Sequence, residues 1–255
     1  MKPLVIKVGG GALAGGALED LPDLLSAGHR VAVVHGGGLQ LTRMLDALGI
    51  PTRFHAGLRV TDEEALEVAE IVLAGGVNKA LARGLDALGV RAAGISGTDG
   101  PTLLVEPVPD LGRVGKVVRV EPQLIEALWD GGFVPVVAPL GLGQKGAYNV
   151  NADTAAAALA IGLGAGHLFV LTDVDGLLEE GETVETIAPD LCEAYVDRGL
   201  AAGGMVPKLR AAAEAARGGV EARILNGNRK GVLAAAVAGG RVGTLISEGV
   251  AACKQ

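Results

Sequence analysis

Three stretches of this sequence carry side chains that could do chemistry together. Residues 148–154 read Tyr-Asn-Val-Asn-Ala-Asp-Thr. In an extended chain, side chains at i, i+2 and i+4 share a face, so Asn149, Asn151 and Asp153 would present two amides and a carboxylate together. Lys7 interrupts an apolar run over residues 4–8, and an ammonium within a buried strand is costly unless an anion or carboxylate meets it. Gly9-Gly10-Gly11 follows that run, and Gly36-Gly37-Gly38 follows another over residues 31–34. Two neighbouring glycine loops of this kind offer backbone N–H groups to an anion. A capped turn with solvated amides would use the same Asn and Asp residues, so the elements around them decide between the readings.

Those elements alternate. An apolar run without Gly or Pro over residues 155–161 predicts a buried helix directly after the Asn/Asp stretch, with Asp153 or Thr154 placed to cap it. The polar face would then sit where a strand becomes a helix, the place where α/β proteins keep their ligands. At the N-terminus, a strand at 4–8, a helix at about 17–27 closed by Gly28 and a strand at 31–34 form a β-loop-α-β unit, which predicts parallel pairing. Helices are expected over 39–48, 66–73, 77–88, 122–129, 191–200, 209–217 and about 230–238. Strands are expected near 90–95, 102–106, 114–120, 133–138, 167–171, 220–225 and 244–247, with an extended excursion over 54–60. Thr61-Asp62-Glu63-Glu64 reads as a capping box for the helix that follows. Gly75-Gly76 is expected to break that helix, and residues 203–208 to form a loop entering the 209–217 helix. No low-complexity linker divides the chain. The expected fold is α/β: a three-layer sandwich with one continuous, mainly parallel central sheet and two lobes, residues 1–164 and 165–255.

Composition excludes several classes. Twenty-two Lys and Arg against 29 Asp and Glu give a net charge of −7, the wrong sign for a protein that lives on nucleic-acid backbones. With aromatics at 2%, stacking platforms for single strands are missing as well. Cys192 and Cys253 stand in no metal or redox spacing and the four histidines are scattered, so no metal site is expected in the protein itself. Residues 155–171 are apolar enough to be mistaken for a membrane span, but Gly162, Gly164, Gly166 and His167 divide them into a helix and a short strand. A soluble cytoplasmic protein is the expectation, with no membrane and no nucleic acid among its partners.

The glycine loops fit the common nucleotide fingerprints poorly, which leaves dinucleotide binding a weak alternative. Gly9-Gly10-Gly11-Ala12-Leu13-Ala14 satisfies the dinucleotide pattern, but His35 occupies the place where that pattern wants an acidic residue for the ribose. No G-x-x-x-x-G-K-[ST] occurs anywhere, which excludes a P-loop. What does match, in order along nearly the whole chain, is another set. Ile6-Lys-Val-Gly-Gly, Val34-His-Gly-Gly-Gly, Gly57-Leu-Arg-Val-Thr-Asp, Asn149-Val-Asn-Ala-Asp, Leu171-Thr-Asp-Val-Asp-Gly and Gly204-Met-Val-Pro-Lys resemble the acetylglutamate kinases of the amino-acid kinase superfamily. The two glycine motifs are shared with carbamate, aspartate and glutamate kinases. Gly57-Leu-Arg-Val-Thr together with Asn149-Val-Asn-Ala-Asp is far more specific.

The resemblance implies phosphorylation of the γ-carboxylate of N-acetyl-L-glutamate by ATP with Mg2+, in arginine biosynthesis. By the same resemblance, Lys7 and Lys208 are the cations on the transferred phosphoryl and Asp153 holds both ammonium groups. Gly9, Gly10, Gly36 and Gly37 supply N–H groups to phosphate oxygens. Arg59 suits a fork onto the acceptor's α-carboxylate, with Asn149 beside it and Asn151 near the amide, while Thr172 and Asp173 meet the nucleotide. A carboxylate nucleophile is already ionised near neutrality, so no general base is required. The arginine-inhibited members carry an additional N-terminal helix that links dimers into a hexamer. Because the first strand here begins at Leu4, a homodimer through the 63–74 helix without such inhibition is the expectation. Two rivals share the fold: a kinase of carrier-protein-linked aminoadipate in lysine biosynthesis, and a non-catalytic amino-acid or nucleotide sensor. Retention of Lys7, Asp153 and Lys208 together argues against the sensor.

Overall fold

The computed structural model describes residues 1–9 and 15–248. Its centre is an eight-stranded sheet in the order Thr186–Ile187, Thr244–Ile246, Glu221–Asn226, His167–Thr172, Leu4–Val8, Val31–His35, Val134–Ala138, Ala92–Ser96. Neighbours pair in parallel except Glu221–Asn226 with Thr244–Ile246. The central strands are covered on both faces, which is why Leu4–Val8 and Val31–His35 are buried at every position and read as unbroken apolar runs.

Alternation along the first strand sorts the two cores and decides where Lys7 goes. Leu4, Ile6 and Val8 pack with Leu18, Leu21, Leu85 and Leu233 on one face. Val5 packs on the other face with the alanine-rich helices Ala152–Gly162 and Met205–Arg217. Lys7 shares the parity of Val5, so its side chain is directed to the layer that contains Asp153. Small alanines let these two helices approach the sheet and each other closely.

A four-stranded sheet, in the order Gly146–Asn149, Leu140–Gly143, Leu103–Pro107, Gly115–Val120, flanks the main one, and Arg53–His55 pairs with Leu58–Val60 as a hairpin. Several expectations need correcting here. The hairpin formed by Leu140–Gly143 and Gly146–Asn149 was not expected before residue 148. Gly75-Gly76 breaks nothing: Glu63–Ala69, a π-helical segment Glu70–Val77 and Asn78–Ala87 run on as one helix. The buried Val72, Leu73 and Val77 hold this segment, and tertiary packing outweighs the roughly 1 kcal/mol that each glycine costs. Asp62, not Thr61, caps that helix by accepting from the Ala65 N–H at 2.9 Å. The run over 155–171 divides as expected, into Ala152–Gly162 and His167–Thr172. Among the described residues no helix is long and apolar enough to cross a membrane.

Candidate active site

The C-terminal ends of the parallel strands Leu4–Val8, Val31–His35, Val134–Ala138 and His167–Thr172 lie along one edge of the sheet, where ligands of open α/β sheets bind. At this edge Lys7 Nζ lies 2.8 Å from Asp153 Oδ1, with both side chains almost fully buried. Lys208 Nζ approaches the other carboxylate oxygen at 3.6 Å and also reaches the Gly204 carbonyl at 3.3 Å. One carboxylate thus stands between two ammonium groups. Burial pushes the Lys7 pKa below the usual lysine value; Asp153 opposes that shift and Lys208 adds to it. Such a buried pair costs several kcal/mol per ion in desolvation, and a second cation on the same carboxylate leaves positive charge in excess. That excess is what an incoming polyanion would neutralise.

The elements carrying this triad differ from the sequence expectation at three points. Extended structure ends at Asn149, and Asp153 lies in the first turn of the helix Ala152–Gly162, so the single extended face over 149–153 does not form. The cap of that helix is neither Asp153 nor Thr154 but Asn151, whose Oδ1 accepts from the N–H groups of Asp153 (2.9 Å) and Thr154 (3.1 Å). This frees the Asp153 carboxylate from capping. Lys208 belongs to the helix beginning at Met205 rather than to a loop. A lysine in a first turn opposes the helix dipole, an unfavourable position that Asp153 offsets.

Beside the triad a cavity of about 260 Å³ is bounded by Lys7, Gly37, Arg59, Leu73, Asn149 and Asp153, with Gly36 and Asn151 also on its wall. Arg59 is buried and lies over the Phe54 ring at 4.8 Å. Its guanidinium donates to Thr42 Oγ1 (2.6 Å), Thr52 Oγ1 (3.1 Å) and the Gly38 carbonyl (3.2 Å). Burial lowers its pKa and Asp46 opposes that shift; no carboxylate bonds it directly among the described residues. It is a cation held by neutral acceptors, able to receive a carboxylate. Asn149 is held by donating from Nδ2 to Thr61 Oγ1 at 3.1 Å.

The glycine loops contribute unequally. Gly36 donates its N–H to the Val8 carbonyl at 2.9 Å, so the expectation that it offers this group to a phosphate is corrected: it ties the second loop to the first strand. Gly37 has φ 155°, and a Cβ there would lie 2.6 Å from Leu73 Cδ2, so only glycine fits. A Cβ on Gly9 would lie 3.1 Å from the Leu171 carbonyl and 3.7 Å from Lys7 Nζ. Gly10 falls outside the described residues, as does Cys253. Cys192 is buried, and burial pushes its thiol up to about 11, which leaves it inert.

Thr172 and Asp173 sit at the expected strand end, joined by a 3.1 Å hydrogen bond, but do not touch the Arg59 cavity. Nearby, sequence reasoning missed a second cavity of about 490 Å³ bounded in part by Asp175, Asn226, Arg229, Lys230 and Gly243. Asp175 accepts from Asn226 Nδ2 (2.7 Å) and Arg229 Nη2 (2.6 Å). The signal was present in residues 225–231, Leu-Asn-Gly-Asn-Arg-Lys-Gly, a turn with two cations after a strand.

The pattern of the Amino acid kinase family matches residues 2–226. An acetylglutamate kinase from Rubrobacter xylanophilus is 71% identical over 248 residues, covering 97% of this chain and 98% of that one. One from Methanopyrus kandleri is 44% identical over 90% of this chain and 96% of its own. Among solved structures, smu.665 from Streptococcus mutans superposes with a TM-score of 0.85 at 28% identity, over 96% of this chain and 98% of that one. An N-acetylglutamate synthase from Neisseria gonorrhoeae complexed with coenzyme A and N-acetyl-glutamate gives 0.83 at 28% identity, over 98% of this chain and 60% of its own. The described fold, the full-length match and the identity agree: this chain belongs to the amino acid kinase family, within its acetylglutamate kinase branch.

Proposed function

We propose that this protein transfers the γ-phosphoryl of ATP to the γ-carboxylate of N-acetyl-L-glutamate, releasing ADP and N-acetyl-L-glutamyl 5-phosphate. The observation that carries this reading is the 71% identity over nearly the full length to an acetylglutamate kinase, in a chain whose site combines a Lys7–Asp153–Lys208 triad with an arginine-walled cavity. Phosphoryl transfer needs reactants in line and charge neutralised on the moving group, and little covalent chemistry from the protein. Lys7 and Lys208 would meet the equatorial oxygens, and Asp153 would hold the two ammonium groups at the transfer point. Arg59 would fork onto the acceptor's α-carboxylate. Asn149 lies beside it, and the Asn151 side chain, its Oδ1 engaged with the helix, retains only its N–H₂ for the acetamide. The acceptor oxygen attacks phosphorus as the bond to the β,γ-bridging oxygen breaks, with no proton to move.

ATP would enter as its magnesium complex. Asp153, the carboxylate at the transfer point, has both oxygens facing lysines, and no cluster of three metal-ligating side chains occurs among the described residues. Magnesium would therefore travel on the phosphates with water in its remaining positions. The second cavity, beyond Thr172 and Asp173, is where we assign the nucleoside. Residues 1–164 would form the acceptor and dimerisation lobe and 165–255 the nucleotide lobe.

The homodimer is proposed through the long helix. Ile71 is 68% exposed and borders an apolar groove with Met44, Val72, Gly76, Ala80 and Gly84, whose small residues would let a second copy of the helix approach closely. Incubation with MgATP and N-acetyl-L-glutamate should yield an acyl phosphate that hydroxylamine traps in step with ADP. ADP release that ignores the acceptor would overturn the proposal.

A further inference from the structure

His35 is completely buried directly before the second glycine loop, and the reaction uses none of its chemistry. Its surroundings define one tautomer. Nδ1 lies 2.6 Å from the Gly36 carbonyl, which can only accept, so Nδ1 carries the proton. Nε2 must then accept, and Asn78 Nδ2 lies 3.1 Å away. The network orients the Asn78 amide: the two hydrogens of Nδ2 are shared among His35 Nε2 and the carbonyls of Val136 (2.8 Å) and Ile95 (3.1 Å), while Oδ1 accepts from Lys79 Nζ at 3.1 Å. Lys79 is fixed in turn by the Gly94 carbonyl at 2.5 Å. Glycine at 94 leaves the passage open, since a Cβ there would lie 2.1 Å from Asn78 Oδ1 and 3.0 Å from Lys79 Nζ.

These contacts form a directed chain from the surface to the reaction edge. Lys79 donates to Asn78, Asn78 to His35, His35 to the Gly36 carbonyl, and the Gly36 N–H to the carbonyl of Val8, the residue after Lys7. Asn78 also begins the α-helical part of the long helix just after the π-helical segment, whose Leu73 and Val77 lie against Gly37. π-Insertions recur at functional sites, and here the insertion shapes the seat of the loop. Burial holds His35 neutral, lowering its pKa to about 4 against a weaker raising contribution from Gly36.

We infer that the Lys79–Asn78–His35 chain is a positioning device which locks the His35 tautomer and so fixes both peptide groups of Gly36, presenting Gly37 and Gly38 to the phosphoryl beside Lys7. This inference rests on the kinase reading for its kinetic consequence alone. The tautomer stands without it. With Asn78 replaced by Leu, Nε2 loses its donor and the proton can move to it; Nδ1 would then turn a lone pair toward the Gly36 carbonyl and displace the loop.

Two measurements on the full-length protein test this. Nitrogen-15 NMR of the histidine rings, without substrate, should find His35 protonated on Nδ1 and bare on Nε2 throughout about pH 5–8, where an ordinary histidine titrates. A proton on Nε2, or titration near the ordinary value, would overturn the inference. Steady-state kinetics should then compare Asn78→Leu, His35→Asn and His35→Gln with the native protein. Displacement of positioned groups by about 1 Å costs up to roughly 100-fold in rate, so Asn78→Leu and His35→Gln should lose about 10- to 100-fold in kcat. Their acceptor KM should move by less than about threefold, as when only transition-state contacts are lost. The amide N–H of Asn can superpose on imidazole Nδ1 whereas that of Gln falls nearer Nε2, so His35→Asn should recover at least about fivefold of the kcat lost in His35→Gln. His35→Asn keeps the Gly36 contact and loses the one to Asn78, whereas His35→Gln can keep an acceptor toward Asn78 and loses the one to Gly36. Equal kcat in the two, tracking Tm alone, would reduce the chain to packing. Failure of the native protein to use N-acetyl-L-glutamate would count against the kinase reading while leaving the NMR result to stand or fall by itself.

Discussion

Asp153→Asn removes one charge from the proposed transfer point and almost nothing else. Lys7 Nζ at 2.8 Å and Lys208 Nζ at 3.6 Å both lose their counter-charge, contacts worth a gross ~6 and ~5 kcal/mol at an effective dielectric near 20. The repulsion between the two ammonium groups remains. Lys7 responds most, because burial already lowers its pKa and Asp153 is what opposes that shift. In the variant its pKa falls further. An amine with a lowered pKa loses its charge as pH rises through that value, so the descending limb of the kcat–pH profile should move to lower pH than in the native enzyme, with residual activity greatest at the acid end. Loss of a preorganised electrostatic contribution should lower kcat by ~10²–10³. Tm should fall as well, since the buried Lys7 is left without its ion-pair partner and the half-buried Lys208 loses its counter-charge, but circular dichroism should remain that of the folded protein because the Asn151 cap is untouched. Stability therefore does not discriminate, and the pH profile of ADP release at saturating MgATP and acceptor does. A kcat within about threefold of native, with a superposable profile, would return Asp153 to the role of an ordinary first-turn residue.

Three further outcomes are expected. Arg59→Ala should raise acceptor KM by about 10- to 100-fold with a smaller change in kcat, since a charge-assisted fork worth about 1.5–3 kcal/mol is made before and during transfer; a kcat loss at unchanged KM would refute the assignment. Gly37→Ala places a methyl 2.6 Å from Leu73 at φ 155°, and should lower stability by roughly 1–3 kcal/mol in denaturant unfolding together with activity, whereas a neutral Tm would show that the loop has room. Ile71→Asp should convert a dimer to a monomer in light scattering; an unchanged mass would show that the groove beside the long helix is not the interface.

Much of this organisation was legible in the sequence, for identifiable reasons. Strands covered on both faces produce unbroken apolar runs, so residues 4–8, 31–34 and 133–138 announced themselves, and Lys7 stood out by interrupting one. Motif order then tied Lys7, Asp153 and Lys208 together across 201 positions, from residue 7 to residue 208, which no local pattern could do. Helix starts were less legible: Asn151, Asp153 and Thr154 are all competent caps, and the choice of Asn151 depends on where the preceding strand lets go. Gly75-Gly76 has the composition of a break, and only packing against Gly37 and the core keeps the helix running. The second cavity was missed because Asp175, Arg229 and Gly243 converge from separate loops. Asn78 carries no signal of its own in the sequence, because its partners lie 43 and 58 positions away.

The central claim is tested most directly by measuring ADP release with N-acetyl-L-glutamate, L-glutamate, L-aspartate and carrier-bound aminoadipate offered side by side. The proposed acetamide pocket would leave polar groups unpaired, and meet a cation, when free glutamate enters; sites that hydrogen-bond a substrate group discriminate against its absence by up to ~10⁴. N-Acetyl-L-glutamate should therefore have by far the highest kcat/KM of the four, with acyl phosphate formed in step with ADP. Equal kcat/KM for N-acetyl-L-glutamate and L-glutamate, or a preference for the carrier-bound acceptor, would contradict the account.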